Sequence, residues 1–237
     1  EKGFDDFADG AFGNSGQTLY VSRSGILQRI HRFDVNSDGY VDLLFVNSQD
    51  NGEQPPAYVY ADPLGVPSLT ELPCNGARTA AVGDLNGDGY DDLVVGMDEN
   101  GIHRDLNAFI YYGSPEGMSE RCKIELPVPD CRAVAIGDFN GDGLPDLAFS
   151  SNGKLRIFYQ TKNGFLPGQF VDLNINVSPM AAGDLDGDGC ADLYVKSESE
   201  ASVFWGGKNG LHPSRRRTVW KNKSPSGKKK RVAPLQA

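Results

Sequence analysis

A nine-residue acidic segment occurs four times in this chain of 237 residues. The copies read DVNSDGYVD from Asp34, DLNGDGYDD from Asp84, DFNGDGLPD from Asp138 and DLDGDGCAD from Asp184. Oxygen-bearing side chains fall on alternate positions, and a glycine follows the third of them. This alternation directs several oxygens to one point, which suits a hard cation with about six to eight oxygen ligands. The segments therefore predict cation-binding loops.

The loops belong to a longer repeat, because their starts are 50, 54 and 46 residues apart. A short alternating or small-residue run precedes each loop, and a branched apolar run such as DLVVG follows it. An aromatic run such as AFIYYG and then a more polar run complete the unit. Short runs between turn signals are typical of strands. We expect four-stranded units that expose both faces and pack face to face around an axis.

Each loop offers oxygens from the side chains at its first, third, fifth and ninth positions and from the seventh backbone carbonyl. The sixth position is glycine, which adopts a positive φ without steric cost. Since the seventh residue would contribute only its carbonyl, Cys190 is not expected to bind through sulfur. The candidate ligands are Asp34, Asn36, Asp38, Tyr40, Asp42; Asp84, Asn86, Asp88, Tyr90, Asp92; Asp138, Asn140, Asp142, Leu144, Asp146; and Asp184, Asp186, Asp188, Cys190, Asp192.

The loops have two alternative interpretations. An EF-hand requires a bidentate glutamate at the twelfth position and flanking helices. The twelfth positions are instead Phe45, Val95, Phe149 and Val195, all in strand patterns. Asx-turns without a metal are the second alternative. Carboxylates held this close repel by roughly 1 to 4 kcal/mol per pair at moderate dielectric constants, so we expect a bound cation. Calcium suits an all-protein cage better than magnesium, which predicts about four Ca²⁺ ions.

Charge is distributed unevenly along the chain, whose net charge is −9. From Ser214 onward there are nine Lys or Arg residues and no acid, so residues 1–213 carry −18. An acidic body argues against nucleic-acid binding. No apolar run is long enough for membrane insertion. No signal peptide is visible in EKGFDDFADG, as would also hold for a mature or trimmed chain.

Four cysteines, Cys74, Cys122, Cys131 and Cys190, are scattered through the chain without a C-x-x-C pair that would suggest zinc. Cys122 and Cys131 could close a short loop in an oxidising compartment. The alternative is that the cysteines are buried free thiols.

The three histidines give no catalytic signature. His31, His103 and His212 lie outside the known serine and cysteine nucleophile motifs. His31 is expected to be a structural residue on a strand, whereas His103 falls in a loop long enough to be functional.

The fourfold D-x-[DN]-x-D-G-x-x-D, the DL that opens each following strand and the segments YYGSPEG and FWGGKNGLHP resemble the FG-GAP or VCBS repeat family. That family includes the calcium-binding blades of integrin α-subunit propellers and some fungal and bacterial propeller lectins. The resemblance covers roughly Ile26 to Trp220. It implies an all-β fold, a β-propeller of four-stranded blades whose loops hold calcium.

The resemblance also implies a domain organisation. We expect propeller repeats over 1–220, with blades at approximately 26–73, 77–126, 132–173 and 178–220, and a basic, disordered tail over 221–237. GQTLYVSRSG is expected to form a leading strand. Either that strand completes the last blade of a small closed propeller, or the chain is part of a larger ring. The larger ring is favoured, with further blades from missing chain or from an oligomer.

The function implied by the resemblance is extracellular recognition or adhesion by a secreted or cell-surface module, with a glycan or protein ligand. The alternative is a polysaccharide-acting lyase or hydrolase on a propeller scaffold, although nothing in the sequence requires an enzyme. Aromatic side chains could offer stacking faces for a sugar, but most are expected to pack blade against blade. They are Tyr111, Tyr112, Tyr159, Trp205 and Trp220.

Overall fold

The computed structural model describes residues 19–21, 27–33, 42–49, 55–61 and 68–221. These ranges contain four antiparallel sheets. The first comprises β1 (Leu19–Val21), β2 (Leu27–Phe33), β3 (Asp42–Gln49), β4 (Ala57–Ala61) and β5 (Ser68–Leu72). The second comprises β6 (Ala77–Gly83), β7 (Asp92–Met97), β8 (Ala108–Tyr111) and β9 (Lys123–Leu126). The third comprises β10 (Val134–Gly137), β11 (Asp146–Ser151), β12 (Lys154–Phe158) and β13 (Val171–Leu173); the fourth comprises β14 (Met180–Gly183), β15 (Asp192–Lys196), β16 (Glu200–Phe204) and β17 (Arg216–Lys221).

Each sheet is a meander in which the strands pair in chain order. Two short 3₁₀ turns, Glu120–Cys122 and Pro213–Arg215, precede the last strands of the second and fourth sheets. The first strands of consecutive sheets, β6, β10 and β14, contact one another. The sheets therefore radiate side by side from a shared inner edge, which is consistent with a β-propeller-like fold. Ring closure and the number of blades remain predictions.

The leading strand β1 belongs to the first sheet. It pairs antiparallel with β2, with Leu19 opposite Arg29 and Val21 opposite Leu27. The alternative in which this strand completes the last blade is therefore not what the described residues show. Only residues 22–26 separate β1 from β2, and strands joined by so short a connection usually pair with each other.

Apolar side chains fill the spaces between consecutive sheets. In the second sheet, Leu93 and Val95 face the first sheet, whereas Val94 faces the third. Alternation along a strand produces this division, and it leaves β7 buried on both faces. A third cluster, which includes Leu193 and Phe204, joins the third and fourth sheets. Packing between sheets is thus the main source of hydrophobic burial.

The aromatic runs mainly serve this packing. Tyr111 is fully buried between the first and second sheets. Tyr112 and Tyr159 are partly buried against the two following clusters. Trp205 is half-buried, and Trp220 is 47% exposed. The packing interpretation is confirmed for the three tyrosines.

All four cysteines are free thiols. Cys131 is buried and Cys122 is exposed, so the proposed bridge between them is not formed. Burial raises the pKa of Cys74 to about 12, which keeps that thiol protonated. The alternative of buried free thiols therefore holds for Cys74, Cys131 and Cys190, whereas Cys122 is exposed.

No helix in the described part of the chain has the length and apolar character that a membrane span requires. Most of the basic tail, residues 222–237, and most of the first acidic loop, residues 34–41, lie outside the described residues.

Candidate metal loops

Three acidic loops lie at the same end of their sheets, between the first and second strands. The second loop connects β6, which ends at Gly83, to β7, which begins at Asp92. The third and fourth loops occupy the same place between β10 and β11 and between β14 and β15. In the first loop, Asp42 begins β3 and is buried. The other candidates of that loop, Asp34, Asn36, Asp38 and Tyr40, lie outside the described residues.

Hydrogen bonds from the backbone fold the second loop around its first aspartate. Asp84 Oδ1 accepts the N–H of Gly87 at 2.7 Å, and Oδ2 accepts the N–H of Gly89 at 2.9 Å. Gly89 has φ +88°, which a side chain would strain. Asn86 Nδ2 lies 3.0 Å from Asp88 Oδ2. Backbone N–H groups therefore hold the first side chain inside the loop, and the third and fifth side chains contact each other.

The third and fourth loops repeat this geometry. Asp138 accepts the N–H groups of Gly141 and Gly143 at 2.7 and 2.8 Å. Asp184 accepts those of Gly187 and Gly189 at 2.7 and 3.0 Å. Asn140 Nδ2 also lies 3.0 Å from Asp142 Oδ2, as in the second loop.

The fourth loop has a carboxylate at every one of these positions. Oxygens of Asp184, Asp186 and Asp188 all lie within 4.8 Å of one another. All three side chains are exposed, so an ion from solvent can reach them. Three anionic oxygens at this separation form a suitable partial cage for a hard dication, whose remaining ligands would come from backbone or water.

The ninth aspartate of each loop occupies a different environment from the exposed cluster. Asp92 is fully buried, and both of its oxygens accept backbone N–H groups. Leu85 in the loop donates to Oδ2 at 2.8 Å, and Gly113, beyond the third strand, donates to Oδ1 at 2.8 Å. Sequence reasoning treated this residue as a cation ligand alone. Its carboxylate also ties the loop to the end of the third strand.

The same arrangement recurs in the next two sheets. Asp146 accepts N–H groups from Phe139 and Gln160, and Asp192 accepts them from Leu185 and Gly206, at 2.8 to 3.0 Å. A carboxylate oxygen has more than one lone pair, so these bonds do not use its whole acceptor capacity. A ligand role for the ninth aspartate therefore stays a prediction.

Electrostatics in the loops favour a bound cation. Burial raises the pKa of Asp92 to about 6, against the hydrogen bonds from Gly113 and Leu85. Burial likewise raises the pKa of Asp146 to about 7. In each loop, the neighbouring carboxylates raise the pKa further. Nearby positive charge would counteract both effects, because it favours the ionised form.

The seventh-position cysteine lies against the neighbouring loop. Cys190 is buried, and a Cβ on Gly141 would lie 2.8 Å from its sulfur. Gly141 therefore leaves the space that the thiol fills. That Cys190 supplies no thiolate ligand stays a prediction. The carbonyl roles of Tyr90, Leu144 and Cys190 remain predictions.

Comparison with known proteins gives the family. The model for the FG-GAP-like repeat matches residues 34–95 and 138–195, about half of the chain. The chain belongs to the FG-GAP-like repeat family. Integrin alpha pat-2 of Caenorhabditis briggsae is 28% identical over 149 residues, and integrin alpha-IIb of Mus musculus is 29% identical over 149 residues. The matches cover 48% and 52% of this chain but only 12% and 14% of those relatives.

A solved structure shares the fold. An Agrocybe aegerita lectin, described as specifically recognising non-reducing terminal N-acetylglucosamine, aligns with a TM-score of 0.51 at 17% identity. The alignment covers 83% of this chain and 52% of the lectin. At this identity the likeness concerns the fold alone.

A polar groove of about 700 Å³ lies at the end of the sheets opposite the acidic loops. Its lining includes Arg78, Asp130 and Arg132, with Ser150 at the end of β11. Two further segments contribute Asn174 and Asn176, and Ser197 and Ser199. The sequence analysis missed this groove, although two first-strand runs, RTAAVG and RAVAIG, begin with its arginines.

Ion pairs with a buried aspartate hold the two arginines Arg78 and Arg132 of the groove. Asp98 is 8% exposed and lies 3.1 Å from Arg78 and 3.5 Å from Arg132. Burial and a hydrogen bond with Asp130 raise the pKa of Asp98. Burial alone would raise the pKa of Asp130. The interaction with Asp98 and the positive charge of Arg132 outweigh burial, so the pKa of Asp130 is lowered. Asp98 thus lies between the guanidinium groups of Arg78 and Arg132, and Arg132 also pairs with Asp130 at 3.1 Å.

The described histidines form no recognisable catalytic arrangement. His103 is exposed in its loop, and its Nδ1 lies 3.8 Å from Asp105. His212 Nδ1 caps the turn Pro213–Arg215, accepting the N–H of Ser214 at 3.2 Å. The side chain of His31 lies outside the described residues.

Proposed function

We propose that this protein is a calcium-binding β-propeller module for extracellular recognition or adhesion. The observation that carries the proposal is the threefold repetition of one loop geometry, in which the first aspartate accepts two glycine N–H groups. In the fourth loop, the oxygens of the first, third and fifth side chains also lie within 4.8 Å of one another. Membership of the FG-GAP-like repeat family supports it. The complete sequence pattern of the first loop extends the proposal to about four ions.

Bound calcium would supply charge neutralisation at the loops. The chain's own residues hold each loop closed, because the first aspartate gathers two glycine N–H groups and the buried ninth aspartate fixes the loop to its sheet. An ion that binds only the folded state stabilises it by mass action, by about 2.7 kcal/mol at 100 times the dissociation constant. Its role is therefore structural.

Thermal unfolding with calcium, magnesium or chelator tests this proposal. We expect calcium to raise the unfolding temperature by several degrees over the chelator, and magnesium to raise it less. Native mass spectrometry should count the bound ions. Identical unfolding temperatures in calcium and chelator, together with no bound ion at millimolar calcium, would overturn the proposal.

We propose that the ligand of this module binds in the polar groove. Its amides and hydroxyls, including Asn174, Asn176 and Ser199, alternate with the charged groups of Arg78 and Arg132. Such a surface suits a polar ligand, either a protein segment or a glycan. The integrin relatives support a protein ligand, and the lectin supports a glycan only through its fold.

The groove is tested by replacing Asn174 and Asn176, both exposed, with alanine. Glycan arrays and immobilised extracellular-matrix proteins should identify a ligand, and the double variant should lose most of its binding. Asn163→Ala is the matched control, because this exposed asparagine lies in the turn after β12, at the loop end of the third sheet. If the double variant and the control bind the ligand equally well, the groove is not the ligand-binding site.

We propose an extracellular or cell-surface location on the same grounds. Calcium sites of extracellular modules typically have dissociation constants of about 10⁻⁴ to 10⁻³ M, and they fill only where calcium is abundant. An enzymatic role on polysaccharides gains no support from the groove. The buried carboxyl beside the groove, Asp98, is ion-paired with Arg78 and Arg132.

A further inference from the structure

The second residue of the second and third acidic loops joins each of these loops to the next sheet. The Leu85 carbonyl accepts a hydrogen bond from Gln160 Nε2 of the third sheet at 2.8 Å. The Phe139 carbonyl accepts one from the N–H of Gly207 of the fourth sheet at 2.9 Å. The N–H groups of Leu85 and Phe139 donate to the ninth aspartates of their own loops. Each second-position residue therefore bonds its own loop through N–H and the next sheet through C=O.

The donors from the next sheet are themselves held by a ninth aspartate. The N–H of Gln160 donates to Asp146 at 2.8 Å. Gly206, adjacent to Gly207, donates its N–H to Asp192 at 2.8 Å. The hydrogen bonds thus continue from loop to sheet to loop. We call the following residues the aspartate relay: Asp92, Leu85, Gln160, Asp146, Phe139, Gly207, Gly206 and Asp192.

The relay is buried between the sheets, which makes its geometry demanding. Asp92 and Asp146 are fully buried, Asp192 is 1% exposed and Gln160 is 6% exposed. A buried polar group that loses its partner costs about 1 to 3 kcal/mol, so each link constrains the next. Between the third and fourth loops there is a second link, in which the N–H of Ala191 donates to the carbonyl of Asp138 at 2.7 Å.

We propose that the aspartate relay makes cation binding cooperative between neighbouring loops. This inference rests on the proposed calcium binding. A cation that orders one loop also fixes the second-position residue of that loop. That residue fixes the donor from the next sheet and, through it, the ninth aspartate of the next loop. The second cation then binds a loop that is already ordered, which is the condition for positive cooperativity.

Tyrosine-sensitised terbium luminescence can report one loop at a time. Tyrosine occupies the seventh position only in the first and second loops, as Tyr40 and Tyr90. Substituting Asp34 and Asp38 with alanine removes two candidate ligands and should abolish Tb³⁺ binding at the first loop. The part of the tyrosine-excited luminescence that Asp84→Ala and Asp88→Ala remove then follows Tb³⁺ binding at the second loop. The remainder comes from the other loops, because Tyr159 lies near Asp146 of the third loop.

The expected result is a gradient along the relay. Asp138→Ala, in the third loop, should weaken Tb³⁺ binding at the second loop by about 5-fold or more. Asp184→Ala, one loop further away, should weaken it less. In a Gln160→Met background, which removes the link while keeping the side-chain volume, Asp138→Ala should change the affinity by less than about 2-fold. Gln169→Met, the same change at an exposed position of the third sheet, should leave the full effect.

The possible outcomes distinguish a failure of this inference from a failure of the proposed calcium binding. If Tb³⁺ binding at the second loop is saturable but Asp138→Ala does not change its affinity, the relay is overturned and calcium binding is not. The same conclusion follows if Asp138→Ala changes the affinity as much in the Gln160→Met background as in the native one. Absence of saturable binding overturns both. If Gln160→Met does not fold, hydrogen exchange over residues 84–92 in the otherwise native chain decides the question. Asp138→Ala must then accelerate exchange in calcium, and unchanged exchange overturns the relay.

Discussion

Gln160 Nε2 donates a 2.8 Å hydrogen bond to the carbonyl of Leu85, a residue 75 positions earlier in the chain and in another sheet. The same amide group donates to the carbonyl of Pro145 at 3.1 Å. Gln160 is only 6% exposed, so water cannot readily replace either bond. We expect Gln160→Met to lower the free energy of unfolding by about 1 to 3 kcal/mol, because it leaves two carbonyls without this donor.

Urea denaturation in chelator measures this loss without the contribution of bound cations. The matched control is Gln169→Met, which makes the same change at an exposed site and should stay within about 0.5 kcal/mol of the native protein. Equal stability of the two variants would show that the contact between Gln160 and Leu85 contributes nothing measurable.

The fifth and ninth aspartates of the third loop should contribute differently to stability when calcium is removed. Asp146 is fully buried and accepts the N–H groups of Phe139 and Gln160. Asp146→Ala should therefore lower the free energy of unfolding by about 2 to 4 kcal/mol even in chelator. Asp142 is exposed beside other carboxylates, so Asp142→Ala should cost less than about 0.5 kcal/mol in chelator.

In calcium, Asp142→Ala should cost more stability than it does in chelator. The Asp142→Ala variant should lose the stabilisation that calcium gives to the third loop, which denaturation at millimolar calcium would reveal. Asp105→Ala, at a side chain 87% exposed and outside the loops, provides the reference. A large loss for Asp142→Ala in chelator would mean that its loop hydrogen bonds, rather than a cation, explain its presence.

Much of this arrangement is predictable from the sequence, because the repeat occurs four times and its copies can be compared with one another. The acidic loops identify the junction between the first two strands, and the apolar runs after them correspond to the buried strands β7, β11 and β15. Alternation along those strands predicts packing on both faces. The aromatic runs also pack as expected, with Tyr111 fully buried.

The relay and the groove could not be predicted in the same way. Gln160 stands where the adjacent sheets have Gly113 and Gly206, so nothing in the repeat marks it as a link. The pattern assigns the ninth aspartate to the cation and does not reveal its two backbone donors. The groove combines Arg78 with segments more than 90 residues later in the chain, and only the packing of the sheets brings them together.

An ion pair in the third sheet predicts a dependence of stability on pH. Arg156 donates to both oxygens of Asp172, at 2.7 and 2.9 Å, with side chains 14% and 21% exposed. The hydrogen bond from Arg156 holds the pKa of Asp172 below its ordinary value. A lowered pKa in the folded state stabilises it at pH values above the unfolded pKa of about 3.9. That stabilisation is lost as the pH falls through the folded pKa.

The variant Asp172→Asn isolates this contribution. At pH 7 it should be about 1 to 2 kcal/mol less stable than the native protein, because Arg156 loses an ionised partner. As the pH falls below about 4, the difference should shrink toward zero. Urea denaturation in chelator between pH 7 and pH 3 provides the measurement. A difference that does not depend on pH would show that the ion pair is not its source.

Leucine occupies the second position in both the second and fourth loops, but the two side chains differ in burial. Leu85 is 1% exposed beneath the third sheet, whereas Leu185 is 60% exposed. Leu85→Ala should therefore cost about 2 to 4 kcal/mol, through lost apolar burial and the cavity that remains. Leu185→Ala should cost less than about 0.5 kcal/mol. Each variant is the other's control, because substitution and loop position are identical. A large cost at Leu185 would mean that another sheet covers the fourth one in solution.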